Sequence, residues 1–148
     1  LVSSYAAIYK KINKFKDDSM IRPFALILAY PVISLIKTNN PQCVENISHF
    51  DNKLMHLLSA DEHVTSDYPP TFMWTTKNDE LVNPDNVKWL SDALKKKKVI
   101  NKCIIYSNGP HGLALANEAT WCDNPKFLNP EVSKWPYQAN QFIKKIKE

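Results

Sequence analysis

The segment PTFMWTT, residues 70–76, carries the strongest strand signal in this 148-residue chain. Its aromatic and β-branched residues are the types that favour extended structure. Because the run is short and largely apolar, and turn-forming residues follow it, it is typical of a strand buried on both faces of a parallel sheet. The polar stretch KNDE (77–80) predicts a turn where this strand ends.

Two more strands are predicted, one on each side of this segment in the sequence. FALILAYPV (24–32) is almost entirely apolar, and VINKCIIY (99–106) is rich in β-branched residues. Both runs have the length of a strand rather than of a helix. We expect residues 24–32, like residues 70–76, to be buried on both faces of the sheet.

Helical patterns separate these strands. Apolar residues recur at spacings of three and four in three segments: Tyr5, Ile8, Ile12 and Phe15; Val87, Leu90 and Leu94 after Pro84; and Val132, Trp135, Ala139, Phe142 and Ile146 after Pro130. The predicted order is α–β–irregular–β–α–β–α. Such alternation predicts an α/β fold, a parallel sheet of about three strands with helices on both faces. The length fits one domain over residues 1–148.

Charge and composition narrow the range of partners. The net charge of +4 comes largely from lysines at 95–98 and 144–147, near the ends of predicted helices, where the helix dipole favours cations. No aromatic residues interleave these lysines, so no nucleic-acid partner is predicted. The longest apolar run, 24–30, is much shorter than a membrane span, so no membrane partner is predicted. Three widely spaced cysteines without a CxxC motif favour reduced thiols in a cytoplasmic protein.

Both glycines of the chain fall within YSNGPHGLAL (106–115). Average usage would place roughly ten glycines in a chain of this length. Gly109 and Gly112 lie on either side of His111, and glycine permits backbone conformations that other residues avoid. We therefore expect a sharp turn that presents the imidazole at the end of the third strand.

Asp79 and His111 follow the second and third predicted strands, about one strand–helix unit apart. The carboxyl ends of parallel strands meet at one edge of a sheet, so the two side chains are expected to touch there. A carboxylate bonded to one imidazole nitrogen leaves the other nitrogen free as a base. Taken one at a time, however, a loop histidine and a turn aspartate more often have structural roles. The residues alone leave both interpretations open.

Four segments, in this order, resemble the C-terminal half of α/β-hydrolase esterases, most closely the acetyl esterase and acetyl-xylan-esterase-like group. They are RPFALILAYPV (22–32), PPTFMWTTKNDELV (69–82), GPHGLAL (109–115) and PEVSKWPYQANQFI (130–143). The resemblance covers most of the chain and is weakest over residues 37–67. It implies a partial α/β-hydrolase fold in which residues 37–67 form a lid or pocket-wall insertion.

The resemblance also implies roles for the site residues. The family's catalytic acid commonly lies in an Asp-x-x-Val motif, which DELV (79–82) matches, and its histidine lies in a Gly-x-His-Gly loop, which GPHG (109–112) matches. Asp79 would then be the catalytic acid and His111 the catalytic base, with Glu80 as the alternative acid. Neither a metal nor a cofactor is implied.

The family's nucleophile has no counterpart here. It is a serine on a Gly-x-Ser-x-Gly elbow, and no glycine precedes Gly109 in this chain. The first predicted helix resembles the helix that leaves this elbow, which would place the serine and the oxyanion hole upstream of Leu1. Ser3 and Ser4 are interpreted as helix-start residues. The chain is interpreted as the back half of an esterase, without its natural N-terminus and inactive alone.

Three functional hypotheses follow. The first is a part of a serine carboxylesterase that acts on small-molecule esters with short acyl chains, including acetylated carbohydrates. The second is a non-enzymatic remnant or interaction module, because the first strand would leave an open sheet edge that recruits another chain. Self-association or pairing with an N-terminal half is expected in either case. The third hypothesis is a peptidase or thioesterase of the same fold.

Overall fold

A computed structural model describes residues 2–12, 21–38 and 40–148. Its helices and strands, in chain order, are α1 (Val2–Ile12), β1 (Leu26–Ala29), α2 (Pro41–Ser48), α3 (Asn52–Leu58), β2 (Thr71–Thr76), α4 (Asp85–Lys96), β3 (Asn101–Tyr106) and α5 (Trp135–Lys145). Short 3₁₀ turns lie at Ala60–Glu62, Pro125–Phe127 and Val132–Lys134. The predicted alternation of helices and strands is confirmed.

The three strands form one parallel sheet in the order β1-β2-β3. Thr71 of β2 is paired with Leu26 of β1 on one side and with Asn101 of β3 on the other. The central strand therefore shares an edge with each of its neighbours, and all three carboxyl ends lie at the same edge of the sheet. This topology confirms the predicted α/β fold with a parallel three-stranded sheet, and it determines where polar loop residues can meet.

The strand predictions differ in their success. All six residues of β2 are buried, as the sequence predicts for residues 70–76. The prediction that residues 24–32 are buried on both faces is wrong. Strand β1 covers only Leu26–Ala29, and within residues 24–32 Phe24 and Ile27 are 58% and 46% exposed. The physical reason is position: within the described residues β1 pairs only with β2, so it is an edge strand.

Two helical layers cover the sheet. Met73 of β2 packs into a core with residues of α1 and α4, among them Leu90 and Leu94. Phe72 and Trp74 point to the opposite face, where their core includes residues of α5. This alternation along β2 follows from the two-residue period of a strand. The predicted apolar faces are confirmed for α4, where Val87, Leu90 and Leu94 are fully buried, and for α5, where Ala139 and Phe142 are buried.

Helix α1 packs through a face that includes Ile8, as predicted, but is rotated away from Tyr5. Ala6, Ile8 and Tyr9 are buried, whereas Tyr5 is 37% exposed. Small residues allow this closer approach, since Ser3 and Ser4 are also buried, at 3% and 6% exposure. The prediction for Phe15 and for the side chain of Ile12 lies outside the described residues.

Residues 37–67 are mostly helical. Helix α3 lies in the part of the chain that the sequence predicts to be irregular, and so does the preceding helix, α2. Its start is nevertheless marked in the sequence, because the side chain of Asn40 accepts a hydrogen bond from the Cys43 amide and Pro41 occupies the first turn. The role of this segment as a lid or pocket wall stays a prediction. None of the helices in the described ranges is long and apolar enough to cross a membrane.

Candidate active site

Asp79 and His111 meet at the carboxyl end of the sheet. Asp79 lies in the loop after β2 and His111 in the loop after β3, and His111 Nδ1 lies 2.8 Å from Asp79 Oδ2. An ionised carboxylate can only accept hydrogen bonds, so Nδ1 carries the shared proton and Nε2 is left as the proton-accepting nitrogen. The contact predicted from the sequence is therefore confirmed. The catalytic roles of the two residues stay a prediction.

The carboxylate of Asp79 is fixed by backbone donors. Its Oδ1 accepts hydrogen bonds from the amides of Leu81 at 3.0 Å and Val82 at 2.9 Å, and Oδ2 faces His111. The side chain is only 1% exposed, so these bonds take the place of water around a buried charge. Both oxygens are held, which leaves the carboxylate little freedom to rotate away from the imidazole.

The loop that carries His111 is tied to the loop that carries Asp79. The Thr76 hydroxyl donates to the Gly109 carbonyl oxygen at 2.6 Å, and the Gly109 amide donates to Asn78 Oδ1 at 2.9 Å. The Asn78 amide group also donates to Asn108 Oδ1 at 2.8 Å. Residues at the end of β2 and just before the acid therefore hold the histidine loop in place.

Glycine is needed in this loop for two reasons. Gly109 has a φ of +140°, and a Cβ there would lie 2.6 Å from Leu113 Cδ1 and 3.1 Å from Thr76 Cγ2. Leu113 is fully buried, so it has no room to move aside. Gly112 has a φ of +82° but open space around it. The concentration of both glycines around His111 thus reflects backbone conformation at both positions and close packing at one.

The imidazole of His111 also contacts an aromatic ring. The ring of Tyr30 lies 4.7 Å from it, centroid to centroid, at an angle of 67°. Tyr30 directly follows β1, so each of the three strands contributes one residue to the cluster Tyr30, Asp79 and His111. The His111 side chain remains 25% exposed, which leaves it accessible from solvent. Within the described residues, Nε2 has no hydrogen-bond partner.

Two of the cavities near these strand ends are relevant to the candidate site. One, of about 650 Å³, is lined by His111 together with Asn78, Asn108, Lys126 and Phe127. The other, of about 390 Å³, lies at the outer edge of the sheet and combines residues of three regions: Ser3 and Ser4 of α1, Ile27 of β1, and Ile47 and Leu58 of α2 and α3. The first cavity gives a ligand access to the imidazole.

The other candidates from the sequence lie apart from this contact. Glu80, the alternative acid, is exposed, and it is Asp79 that bonds to His111. The Ser4 hydroxyl donates to the Leu58 carbonyl oxygen at 2.7 Å, which is a structural use within the helix layer. Sequence reasoning missed Tyr30, Thr76 and Asn78. Their only signal was position: Thr76 and Asn78 lie at or just beyond the end of one predicted strand, and Tyr30 lies near the end of another.

Known proteins resemble this chain over part of their length. Endo-1,4-beta-xylanase B from Butyrivibrio fibrisolvens is 31% identical over 112 residues, which span 74% of this chain and 18% of that protein. The structure of the carboxylesterase Cest-2923 from Lactobacillus plantarum, one of several similar structures from that organism, has a TM-score of 0.82 at 26% identity and is matched over 99% of this chain and 54% of its own length. The acetyl ester-xyloside bifunctional hydrolase from Caldicellulosiruptor lactoaceticus has a TM-score of 0.70 at 27% identity. The match covers 97% of this chain and 52% of that protein. No family model matches the chain.

The sheet topology and these similarities show that the chain has a partial α/β-hydrolase fold. More narrowly, the chain is related to the α/β hydrolases of the carboxylesterase and acetyl-xylan-esterase type, and the match is consistent with their C-terminal half. It spans about half the length of the solved relatives and less than a fifth of the xylanase.

Proposed function

We propose that this chain supplies the acid and the base of a serine carboxylic-ester hydrolase. The observation that carries the proposal is the 2.8 Å contact between His111 Nδ1 and the buried carboxylate of Asp79. The similarity to esterases covers nearly the whole chain and supports the same conclusion. In this proposal residues 1–148 form one partial α/β-hydrolase domain.

The proposed reaction has two halves that use the same proton path. A serine from the unmatched part of the enzyme attacks the ester carbonyl carbon while Nε2 of His111 takes its proton. The imidazolium returns this proton to the leaving alkoxide, and an acyl-enzyme forms. Water then attacks the acyl group while Nε2 takes a proton from it, and the imidazolium returns that proton to the serine oxygen as the carboxylic acid is released. Asp79 stabilises the imidazolium in both halves by accepting the Nδ1 proton in a hydrogen bond.

We assign the substrate to short-chain esters, with acetylated carbohydrates as the favoured class. The names of two relatives support this assignment, since one is a xylanase and the other an acetyl ester-xyloside hydrolase. The segment 37–67 would contribute to the pocket wall. Ile47 and Leu58 from this segment already line a cavity of about 390 Å³ together with Ile27 of the edge strand.

The open edge of β1 is proposed as the place where the enzyme is completed. In the described part of the sheet, β1 pairs on one side only, and its other edge offers backbone groups to another strand. The proposed occupant is the polypeptide that corresponds to the unmatched half of the relatives, bringing the nucleophile. A second copy of this chain is the alternative occupant.

The experiment compares the isolated chain with a chimera. In the chimera, the part of the carboxylesterase Cest-2923 that precedes the matched region is fused ahead of Leu1. We expect the chimera to hydrolyse p-nitrophenyl acetate, and His111→Ala to lower its turnover by on the order of a millionfold. Tyr137→Ala, at a side chain 66% exposed on α5, is the matched control and should leave turnover unchanged.

Two outcomes would contradict the proposal. An active chimera whose turnover survives His111→Ala would show that this imidazole is not the base. Robust turnover by the isolated chain, lost on His111→Ala, would show that the chain needs no nucleophile from elsewhere. Peptide and thioester substrates, assayed on the same chimera, test the remaining reactions open to this fold.

A non-enzymatic interaction module is the second candidate function. The observation that favours it is the exposed apolar edge of β1, where Ile27 is 46% exposed beside a cavity of about 390 Å³. In that case the isolated chain would form stable oligomers, and His111→Ala would leave that association unaffected.

A further inference from the structure

We infer that Tyr30 is a positioning residue for the imidazole of His111. The inference rests on the proposed function, in which His111 is the catalytic base, and adds to it a third member contributed by β1. Tyr30 has no place in the Asp79–His111 hydrogen bond itself, so its part is to restrict how the imidazole can move.

The ring contacts place Tyr30 between the imidazole and the core. Its ring lies 4.7 Å from the His111 ring at 67°, and 5.2 Å from the Trp74 ring at 90°. Trp74 is 1% exposed and is itself stacked on Trp135 at 5.6 Å. Edge-to-face pairs of this kind are favourable for aromatic rings. A continuous aromatic column thus runs from α5 to the candidate base, and Tyr30 cannot withdraw from the imidazole into the core.

The backbone of Tyr30 is held in an unusual conformation. Its φ is +39°, in a region that large residues rarely adopt, and it precedes Pro31, which restricts a residue further towards extended backbone. The Tyr30 amide donates to the Trp74 carbonyl oxygen at 2.7 Å, which extends the pairing of β1 with β2 by one residue. Such a conformation persists only where its surroundings determine it, and it is typical of functional sites.

The hydrogen bond between His111 and Asp79 does not fix the orientation of the imidazole completely, and this leaves a role for Tyr30. The bond from Nδ1 to Asp79 sets the tautomer of His111, but the imidazole can still swing about the line that joins the two atoms. That swing would move Nε2, the nitrogen that must meet the serine. A ring packed at 4.7 Å against the imidazole blocks the swing on one side. Asp79 therefore determines which ring nitrogen of His111 carries the proton, and Tyr30 determines the orientation of the ring and so the direction in which Nε2 points.

The test uses nuclear magnetic resonance on the 148-residue chain, without any nucleophile. In the wild-type chain we expect nuclear Overhauser contacts between the Tyr30 ring protons and the His111 ring protons. Tyr30→Phe keeps the ring and should preserve these contacts. Tyr30→Leu removes the ring, and should speed solvent exchange of the downfield Nδ1 proton by roughly five-fold, the scale of one aromatic pair. Tyr137→Leu, at an exposed tyrosine on α5, is the control and should leave the Nδ1 proton unchanged.

Several results would overturn the inference. The absence of Tyr30–His111 contacts in the folded wild-type chain would do so, and this measurement does not depend on any variant folding. A folded Tyr30→Leu chain with wild-type exchange of the Nδ1 proton would do so as well. If Tyr30→Phe behaved like Tyr30→Leu, the hydroxyl rather than the ring would be responsible.

These readings also separate this inference from the proposed function. They observe the imidazole directly, so an inactive chimera with an intact Tyr30–His111 contact would contradict the esterase proposal alone. In an active chimera, Tyr30→Leu should lower kcat with little change in KM, and Tyr30→Phe should restore it. A wild-type kcat in Tyr30→Leu would contradict the positioning role while leaving the esterase proposal intact.

Discussion

The hydroxyl of Thr76 donates a hydrogen bond of 2.6 Å to the carbonyl oxygen of Gly109, and so joins the end of β2 to the loop that carries His111. This bond is buried, so it is stronger and more directional than a surface contact between two loops. The loop can approach Thr76 this closely only because residue 109 has no side chain. The packing of one glycine thus contributes directly to the position of the candidate base.

Replacing Gly109 with alanine is the first prediction. The added Cβ would meet the buried Leu113 side chain at 2.6 Å in a backbone conformation that is strained for any L-residue. We expect the free energy of unfolding to fall by about 3 kcal/mol, the sum of backbone strain and overpacking. Urea unfolding followed by circular dichroism measures the change.

Gly112→Ala is the matched control for Gly109→Ala. Its φ of +82° is also strained for alanine, but a Cβ there meets no neighbour within 4 Å. We expect a loss of only about 1 kcal/mol from the backbone alone. Equal losses in the two variants would contradict the packing argument for Gly109.

The second prediction separates Asp79 from its neighbour Glu80. In Asp79→Asn the side-chain oxygen can still accept hydrogen bonds from the amides of Leu81 and Val82. The side-chain NH₂ group, however, is a donor, so the side chain no longer requires the proton of His111 to be on Nδ1. In the active chimera we expect turnover to fall by about 10⁴-fold, as for the loss of a triad carboxylate. Glu80→Gln changes an exposed side chain that does not bond to His111. Its turnover should stay within about two-fold of the wild-type value, because surface changes typically alter free energies by roughly 0.5 kcal/mol or less.

The assay on p-nitrophenyl acetate decides between the two carboxylates. A large loss in Glu80→Gln with full activity in Asp79→Asn would mean that the acid lies one residue later than proposed. Unchanged activity in both variants would remove the carboxylate from the mechanism altogether.

The sequence was sufficient to predict the sheet, because continuous apolar runs bounded by turns have few other solutions. It did not predict which strand lies at the edge. Residues 24–32 and 70–76 carry nearly the same pattern, yet β1 leaves Ile27 46% exposed while β2 is wholly buried. The number of neighbours a strand has depends on chain topology, and a local pattern contains no information about it.

The site shows the same limit. Asp79 and His111 could be paired from the sequence because both follow strands that the topology makes neighbours. Tyr30 could not, since an aromatic residue at the end of an apolar run is ordinary in sequence. Only the positive φ of its backbone and its ring contact with His111 mark it, and both depend on residues distant in the chain.

A third prediction concerns stability at high pH. Burial raises the pKa of Tyr68, whose hydroxyl donates to the Ser3 carbonyl oxygen at 3.0 Å. A tyrosine with a raised pKa holds its proton more tightly in the folded state than in the unfolded state, where the pKa is about 10. Its full contribution to the free energy of unfolding is present below about pH 10, and this contribution is lost as the pH rises towards the pKa of the folded state. Burial, with the charge of Glu131, also raises the pKa of Tyr106, to about 12, so the loss should continue across this range.

Tyr68→Phe removes one of these two groups. At pH 8 we expect a cost of about 1 kcal/mol from the lost hydrogen bond to Ser3. Above pH 10 the stability of the variant should decline less steeply than that of the wild type, as measured by urea midpoints between pH 8 and 12. Tyr137→Phe, at an exposed tyrosine, should follow the wild-type curve throughout. Parallel curves for Tyr68→Phe and wild type would contradict the assigned shift.

The final prediction tests the open edge of the sheet. Ile27 lies on β1 and is 46% exposed, and Ile100, just before β3, is a similar residue at 57% exposure but lies away from that edge. Ile27→Lys places a charge where another strand would have to pair, a substitution that protects natural sheet edges. We expect it to weaken association, with the N-terminal half or with a second copy, by at least about tenfold, which corresponds to roughly 1.4 kcal/mol. Since Ile27 is half exposed, the unfolding free energy of the isolated chain should change by only about 0.5 kcal/mol.

Sedimentation velocity over a range of concentrations measures the association directly. Ile100→Lys should associate like the wild type; an equal effect of the two lysines would mean that general surface charge, and not the β1 edge, controls assembly.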